Sequence, residues 1–318
     1  MTLQEYVNSL KDKSVAVIGI GVSNTPLIRR LCSEGVDVTA CDKRTAEELG
    51  DLAAELTALG AKLQLGADYL DHLTQNVIFR TPGLRHDVPQ LKAAVERGAV
   101  LTSEMEVFFE VCPCDIIAVT GSDGKTTTTT LVSEMLKAAG RKVWLGGNIG
   151  TPLLPLVDQM QESDLAVVEL SSFQLMDMRR SPGRALITNL SPNHLDVHKD
   201  MEEYVEAKKN IYRFQKEDGL LIVNADNAIT ASLRGPGETR TFSRQGRGHV
   251  ELRDGVIFRG EDAVLSVSDI LLPGAHNVEN FMAAIALDMK GRGKLAKNTA
   301  VGTVMTNMGF GRFCKDNG

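Results

Sequence analysis

Short apolar runs rich in β-branched residues alternate along this chain with longer stretches of helical composition, a pattern that predicts a parallel α/β architecture. Val15-Ala-Val-Ile18 reads as a buried strand ending in Gly19-Ile-Gly21, followed by a helix through Leu31 and a strand at Val36-Asp-Val-Thr-Ala40. Thr45 to Leu59 is helical in composition, and Asn76-Val-Ile-Phe79 is a strand running into Thr81-Pro82-Gly83. An expected helix from Pro89 and a strand from Ala99 complete a first unit over residues 1–102, of Rossmann-like type.

A second unit is expected over residues 103–290. Ile116-Ile-Ala-Val119 is a strand, and the loop after it leads into a helix towards Ala139. Leu165-Ala-Val-Val168, Ala185-Leu-Ile-Thr188 and Leu220-Leu-Ile-Val223 are further runs of buried-strand type, and a last helix is expected from Val278 to Met289. Residues 291–318 are short of aliphatic periodicity and rich in Gly, Asn and Lys, so a poorly ordered tail is expected there, too short to bury a core of its own.

Composition narrows the function without deciding it. The chain has 318 residues, 43% hydrophobic and 24% charged, enough for a real core. Its 35 Lys and Arg against 41 Asp and Glu give a net charge of −6, which argues against a nucleic-acid partner. Small anionic ligands stay open, because backbone N–H groups can bind them locally. No apolar run approaches the roughly 18 residues of a membrane span, and the polar start, Met1 to Lys13, shows no signal peptide. Five cysteines are an odd number, and Cys112-Pro-Cys114 is too tight for the usual zinc pattern. A cytoplasmic monomer with reduced thiols is the expectation.

The strongest chemical signal is Gly121, Ser122, Asp123, Gly124, Lys125, Thr126 and Thr127, directly after a strand. Glycines there let several N–H groups converge on a phosphate at a helix start, Lys125 reaches the β- and γ-phosphates, and the Thr126 hydroxyl ligates Mg²⁺. Val119 occupies the place of the usual first glycine, so a plain glycine turn is the competing reading. Glu169 follows Leu165-Ala-Val-Val168 at the strand's carboxyl end, the edge where open α/β sheets bind ligands, and is a candidate for the same metal. His194 lies past another strand and is a candidate for metal or substrate, whereas His198 reads as structural or surface. In the first unit, Gly19-Ile-Gly21-Val-Ser-Asn24 with Asp42 imitates a dinucleotide fingerprint whose third glycine is replaced, so nicotinamide dinucleotide binding stays an alternative.

Together these segments resemble the Mur ligase family. Thr120-Gly-Ser-Asp-Gly-Lys-Thr-Thr127 looks like its phosphate loop, which accounts for the missing glycine. Gly146-Gly-Asn148-Ile-Gly150, Glu169-Leu-Ser-Ser-Phe-Gln-Leu175, Asn189 to Asp196 and Gly274-Ala-His276-Asn277-Val-Glu-Asn280 are similar to blocks of its D-glutamate-adding branch.

The resemblance implies a P-loop-type central domain that binds ATP and two Mg²⁺ ions. Lys125, His194 and Lys208 carry the chemistry, and Thr126, Glu169, His194 and a carbamylated Lys208 hold the metal. By itself Glu203-Tyr-Val-Glu-Ala-Lys208-Lys-Asn-Ile-Tyr212 reads as a polar helix whose lysines solvate a face. The resemblance further implies Asn277 and Asn280 on the adenine side. Val22 and Ser23 lie near a UDP diphosphate, Asp42 and Arg44 near uracil, with Thr81, Pro82 and Gly83 alongside. Asn148 and Ser172 position the muramoyl-alanine end.

The implied reaction joins D-glutamate to UDP-N-acetylmuramoyl-L-alanine through an acyl phosphate. The recognisable pattern runs to about Leu287, and the tail does not match the family's third domain. The expectation is therefore a chain that binds the UDP substrate and part of the ATP–Mg²⁺ site but ligates poorly or not at all. A non-catalytic UDP-sugar-binding fragment, a plain ATPase or kinase, a nicotinamide dehydrogenase and the L-alanine-adding sibling ligase are the competing readings.

Overall fold

The structure is a computed structural model and describes residues 1–192 and 197–287. The expectations for His194 and for the tail from Gly291 lie outside the described residues. The chain divides into two compact units, the first formed by Met1–Pro113 with Thr151–Met160 and Met176–Arg179, the second by Cys114–Gly150, Gln161–Leu175 and the chain from Arg180. The border falls at Pro113, not at residue 102, because the helix Glu104–Val111 packs with the first unit.

In the first unit the strands β1 (Ser14–Ile18), β2 (Asp37–Asp42), β3 (Lys62–Leu65), β4 (Val77–Phe79) and β5 (Val100–Thr102) form a parallel sheet of order β3-β2-β1-β4-β5. The order reverses between β1 and β4, the topological switch at which α/β sheets open a crevice. Its helices are α1 (Leu3–Asn8), α2 (Asn24–Ser33), α3 (Ala46–Leu49), α4 (Asp51–Ala58), α5 (Pro89–Glu96) and α6 (Glu104–Val111). The single helix expected from Thr45 to Leu59 is two, because Gly50 adopts φ 57° and breaks the turn. Ala16, Ile18, Cys41, Ile78 and Leu91 form the centre of this unit's core.

In the second unit the strands are β6 (Asp115–Thr120), β7 (Val143–Gly147), β8 (Leu165–Glu169), β9 (Arg184–Ile187), β10 (Leu220–Asn224), β11 (Glu238–Ser243), β12 (Val250–Arg253), β13 (Val256–Arg259) and β14 (Asp262–Ser266). They form one sheet of order β14-β13-β12-β11-β10-β9-β6-β8-β7, parallel from β7 to β12 and antiparallel at β13 and β14. The β12–β13 hairpin turns on Asp254-Gly255, both at positive φ, the pair a tight hairpin favours. Helices α7 (Lys125–Ala138), α8 (Ser172–Leu175), α9 (Met201–Arg213) and α10 (Ala275–Ala286) complete the unit. From Val278 to Ala286 only Glu279 of α10 is not buried, and Phe281, Met282 and Ile285 share a core with Leu131, Val132 and Leu136 of α7. A helix apolar on nearly every side is one that tertiary packing encloses. Among the described residues no helix is long and apolar enough to cross a membrane.

Candidate active site

Strand register brings the phosphate loop to its partners. β6 lies between β8 and β9, with Val119 opposite Glu169 and Thr120 opposite Ile187. The loop after β6 is thus flanked by Glu169 on one side and by Thr188 and Asn189 on the other. Gly124 at φ 76° caps α7, whose first residue is Lys125. A side chain at Gly124 would place its Cβ 2.3 Å from Asn280 Oδ1, and one at Gly121 would sit 1.9 Å from Thr188 Oγ1. These glycines are required by contact, not only by the turn.

Each loop residue is tied down. The Asp123 N–H donates to Asn189 Oδ1 (3.0 Å), and Thr188 Oγ1 donates to the Asp123 carbonyl (2.6 Å). The Ser122 and Tyr204 hydroxyls are 2.8 Å apart, and the Ser191 N–H donates to Ser122 Oγ at 2.9 Å. Lys125 Nζ donates to the Ser122 carbonyl at 2.9 Å, spanning the loop in which a phosphate would sit. Thr126 is exposed and donates its hydroxyl to Glu169 Oε2 (2.7 Å), while Asn148 Nδ2 donates to Glu169 Oε1 (2.8 Å). Thr127, next on α7, is half-buried.

The polar-helix reading of Lys208 fails on burial. Its side chain is 1% exposed, with Nζ donating to Thr120 Oγ1 (3.0 Å) and to the Gly121 carbonyl (2.9 Å), and lying 4.9 Å from the Tyr204 ring centre. Burial, joined by the positive charge of Lys125 and opposed by Glu169, lowers its pKa from 10.5 to about 7. At neutral pH much of this amine is uncharged and nucleophilic. Thr126, Glu169, Lys125 and Lys208 therefore converge on one loop. Among the described residues no three His, Cys, Asp or Glu side chains cluster as a metal cage. A hydroxyl, a buried carboxylate and neighbouring phosphate oxygens are the sparse oxygen set that Mg²⁺ accepts, so the residues present fit that ion.

Asn280 receives the Thr128 hydroxyl (3.2 Å) and donates to Asn277 Oδ1 (3.2 Å), and Asn277 donates to the Pro273 carbonyl (2.7 Å). A cavity of about 80 Å³ beside the loop is lined by Asp123, Gly124, Asn189, Phe242, His276 and Asn280, among others. Ser172 is 2% exposed and its hydroxyl lies 2.9 Å from His198 Nε2. His198 is buried, stacked on Phe173 at 5.4 Å, which agrees with its structural reading. Ser171 is the more exposed of the serine pair.

In the first unit Asp42 is 5% exposed, and its carboxylate accepts from the Ile20 N–H (2.7 Å), the Arg44 N–H (3.0 Å) and the Arg44 guanidinium (2.8 and 2.9 Å). Burial acts to raise this carboxyl, but the hydrogen bonds from Arg44 and Ile20 outweigh it and hold the pKa at about 2. Asp42 thus shapes the Gly19–Gly21 loop with its own oxygens engaged, while Val22 and Ser23 stand exposed at the tip. Asn24, in the place of the third fingerprint glycine, donates to the Ile18 and Gly19 carbonyls at 3.0 and 3.1 Å and closes the loop from inside. A Cβ on Gly19 would lie 2.9 Å from Thr81 Cβ, so the loops after β1 and β4 meet at the switch point.

Sequence reasoning missed two residues. Tyr204 sits one helical turn before Lys208 on α9, a spacing that puts both on one face. Arg80 is a lone basic residue directly after the apolar run of β4, and it is 3% exposed.

Residues 119–287 match the Mur ligase middle domain. The chain is 50% identical over 293 residues to the UDP-N-acetylmuramoylalanine–D-glutamate ligase of Acetivibrio thermocellus, covering 89% of this chain and 63% of that one. It is 52% identical over 293 residues to the ligase of the same name from Ruminiclostridium cellulolyticum, with the same coverage. The chain thus spans less than two thirds of the length of these relatives. Among solved structures, the UDP-N-acetylmuramate:L-alanyl-gamma-D-glutamyl-meso-diaminopimelate ligase of Neisseria meningitides is similar in fold. Its TM-score is 0.59 at 19% identity, covering 92% of this chain and 98% of that one. The UDP-N-acetylmuramate-alanine ligase of Thermotoga maritima gives 0.54 at 22% identity, covering 91% and 67%.

Proposed function

The chain belongs to the Mur ligase family, and from that premise we propose that it serves the ATP-dependent addition of D-glutamate to UDP-N-acetylmuramoyl-L-alanine in cytoplasmic peptidoglycan precursor synthesis. The observation that carries this reading is the convergence of Thr126, Glu169 and the buried Lys208 on one phosphate loop, in a chain about half identical to ligases named for that reaction.

A carboxylate and an amine do not condense in water, so the L-alanine carboxylate first needs a leaving group. The γ-phosphoryl group of ATP passes to that carboxylate, ADP departs, and the amine of D-glutamate then displaces phosphate from the acyl phosphate. Phosphoryl transfer asks the protein mainly for positioning and charge neutralisation. Backbone N–H groups from Gly124 to Thr127 cradle the phosphates, while those of Ser122 and Asp123 hold the loop's shape by donating to the Asn189 carbonyl (2.9 Å) and Asn189 Oδ1 (3.0 Å). Lys125 exchanges the Ser122 carbonyl for the β- and γ-phosphates, and Asn277 and Asn280 face the adenine side.

Mg²⁺, when bound, neutralises phosphate charge at Thr126, Glu169, His194 and Lys208. For Lys208 to join an ion it must become anionic. Its uncharged amine would add to CO₂: an N–C bond forms as one C=O π pair moves onto oxygen, the nitrogen gives a proton to solvent, and the resulting anionic carbamate would present oxygens. The first unit takes UDP through Val22, Ser23, Arg44 and Thr81-Pro82-Gly83, with Asp42 fixing the loop. The second takes the muramoyl-alanine end at Asn148 and the Ser171-Ser172 pair. The proposed acting species is the monomer.

The test is phosphate release from ATP and Mg²⁺ with UDP-N-acetylmuramoyl-L-alanine, with and without D-glutamate, with the product followed by mass. D-glutamate-dependent product establishes full ligation by this chain. Affinity for the UDP substrate without product restricts it to recognition, and absence of both sinks the reading.

A further inference from the structure

The loop Thr81-Pro82-Gly83-Leu84 folds around a buried charge. Arg80 continues the β4–β5 ladder through its N–H, which donates to the Thr102 carbonyl at 2.8 Å, but its guanidinium turns inward and is 3% exposed. Nη1 donates to the carbonyls of Thr81 (3.1 Å), Pro82 (3.0 Å) and Leu84, and Nη2 pairs with Asp177 Oδ2 at 2.7 Å. Asp177 belongs to the segment Met176–Arg179 that joins the first unit, and its other oxygen lies 3.0 Å from His86 Nδ1.

Burying a guanidinium is costly unless it is paired and its N–H groups are satisfied. An apolar side chain would fill the same space without that cost, so the three inward carbonyls are what call for the guanidinium. Those carbonyls set the loop's outward face. All described peptide bonds are trans, so a Pro82 carbonyl drawn in towards Arg80 turns the Gly83 N–H outward, and Gly83 is exposed. Thr81 meets Gly19 at the switch point, where an anionic ligand of this unit belongs.

We infer that Arg80, with Asp177 as its counter-charge, is a positioning residue that holds the Thr81–Leu84 loop in the shape that receives the UDP end of the substrate. The inference rests on the functional reading above, and it adds residues that touch the loop rather than the ligand. Arg80→Lys keeps the positive charge but carries its three N–H groups on one nitrogen, so it cannot serve the three carbonyls and Asp177 together, as Nη1 and Nη2 do. Asp177→Asn keeps the shape of the pair and removes the neutralising charge.

The experiment measures dissociation constants for UDP-N-acetylmuramoyl-L-alanine and for ATP by calorimetry on the whole chain, wild type and variants, beside unfolding curves. For Arg80→Lys the UDP ligand weakens about 10- to 100-fold, while ATP affinity stays within about twofold, since the loop is misplaced and the phosphate loop is not. Asp177→Asn weakens the UDP ligand in the same direction by less. In Arg80→Ala, added guanidinium ion restores UDP-ligand affinity in a dose-dependent way, a response that general loss of stability does not give. Unchanged UDP-ligand affinity in Arg80→Lys, or equal loss of both affinities with no rescue, overturns the inference. A wild-type chain without affinity for the UDP ligand instead overturns the functional reading, and that failure is read on the unmutated protein.

Discussion

The Thr126 hydroxyl donates to the Glu169 carboxylate at 2.7 Å, joining residues 43 positions apart in the chain. The contact exists because β6 and β8 are parallel neighbours in a register that sets Val119 opposite Glu169. It gives the oxygen pair expected at a magnesium–nucleotide site, with Asn148 Nδ2 holding the second carboxylate oxygen at 2.8 Å.

Glu169→Gln keeps the shape and the bond from Thr126 but removes the charge. ATP-driven phosphate release with the UDP substrate falls about 100- to 1,000-fold, the scale of loss when one preorganised electrostatic partner of a transition state is removed. UDP-substrate affinity, measured on the same variant by calorimetry, stays unchanged. A rate within threefold of wild type would remove Glu169 from the chemistry.

At Gly121 the added methyl of Ala meets Thr188 Oγ1 at 1.9 Å, in a backbone of φ 154°. Nucleotide affinity of Gly121→Ala drops at least about tenfold because the loop must open to admit the group. Fluorescent-nucleotide titration reads this directly, and Gly183→Ala, where an added Cβ meets nothing within 4 Å, is the control.

Lys208 makes a pH prediction with a definite sign. Its folded pKa of about 7 lies below the value of 10.5 for a free lysine. Between those values the unfolded chain binds the extra proton, so the protein gains stability as pH rises from about 7 towards 10.5. Below pH 7 the burial cost is fully present. Lys208→Met escapes it, and its stability advantage over wild type shrinks by about 3 kcal/mol between pH 7 and pH 9.5 in CO₂-free buffer, measured by denaturant unfolding. A gap that stays constant with pH would mean that the amine is not buried in its charged form.

Glu104 on α6 behaves in the opposite sense. It is 6% exposed, and burial pushes its carboxyl up to about 7, opposed by the Leu154 N–H that donates to it at 3.2 Å. The unfolded chain ionises near 4.5 while the folded chain stays protonated, so stability is lost as pH rises from about 4.5 to about 7. Glu104→Gln keeps the acceptor for Leu154 without the charge. It is about 3 kcal/mol more stable than wild type at pH 8 and equal to it near pH 4, by the same unfolding assay.

The α/β class and the main strands β1, β2, β4, β6, β8, β9 and β10 were legible from apolar runs, since a strand buried on both faces leaves a continuous signature. The strands β3, β7 and β11 to β14 were not, because half-buried sequences such as Lys62–Leu65 and Glu238–Ser243 show no such run. The break at Gly50 is not legible in the sequence, because a single glycine inside a helical composition is compatible with a continuous helix until its backbone angle is known. Asp254-Gly255 is a dipeptide of the type a tight hairpin favours, the one local signal for β12 and β13.

By itself the sequence determined the family, and it marked the candidates for the local chemistry: the glycine-rich loop after β6 and the carboxylate at the end of β8. Those signals are short and contiguous, and strand–loop–helix geometry translates them directly into positions. Only the tertiary structure decided which polar residues lose their water. In a linear text the Lys208 helix reads as a solvated polar face and Arg80 carries no signal, yet both side chains are buried by strands and segments distant in sequence. Burial and charge pairing depend on what packs from elsewhere in the chain, and that information is not written next to the residue.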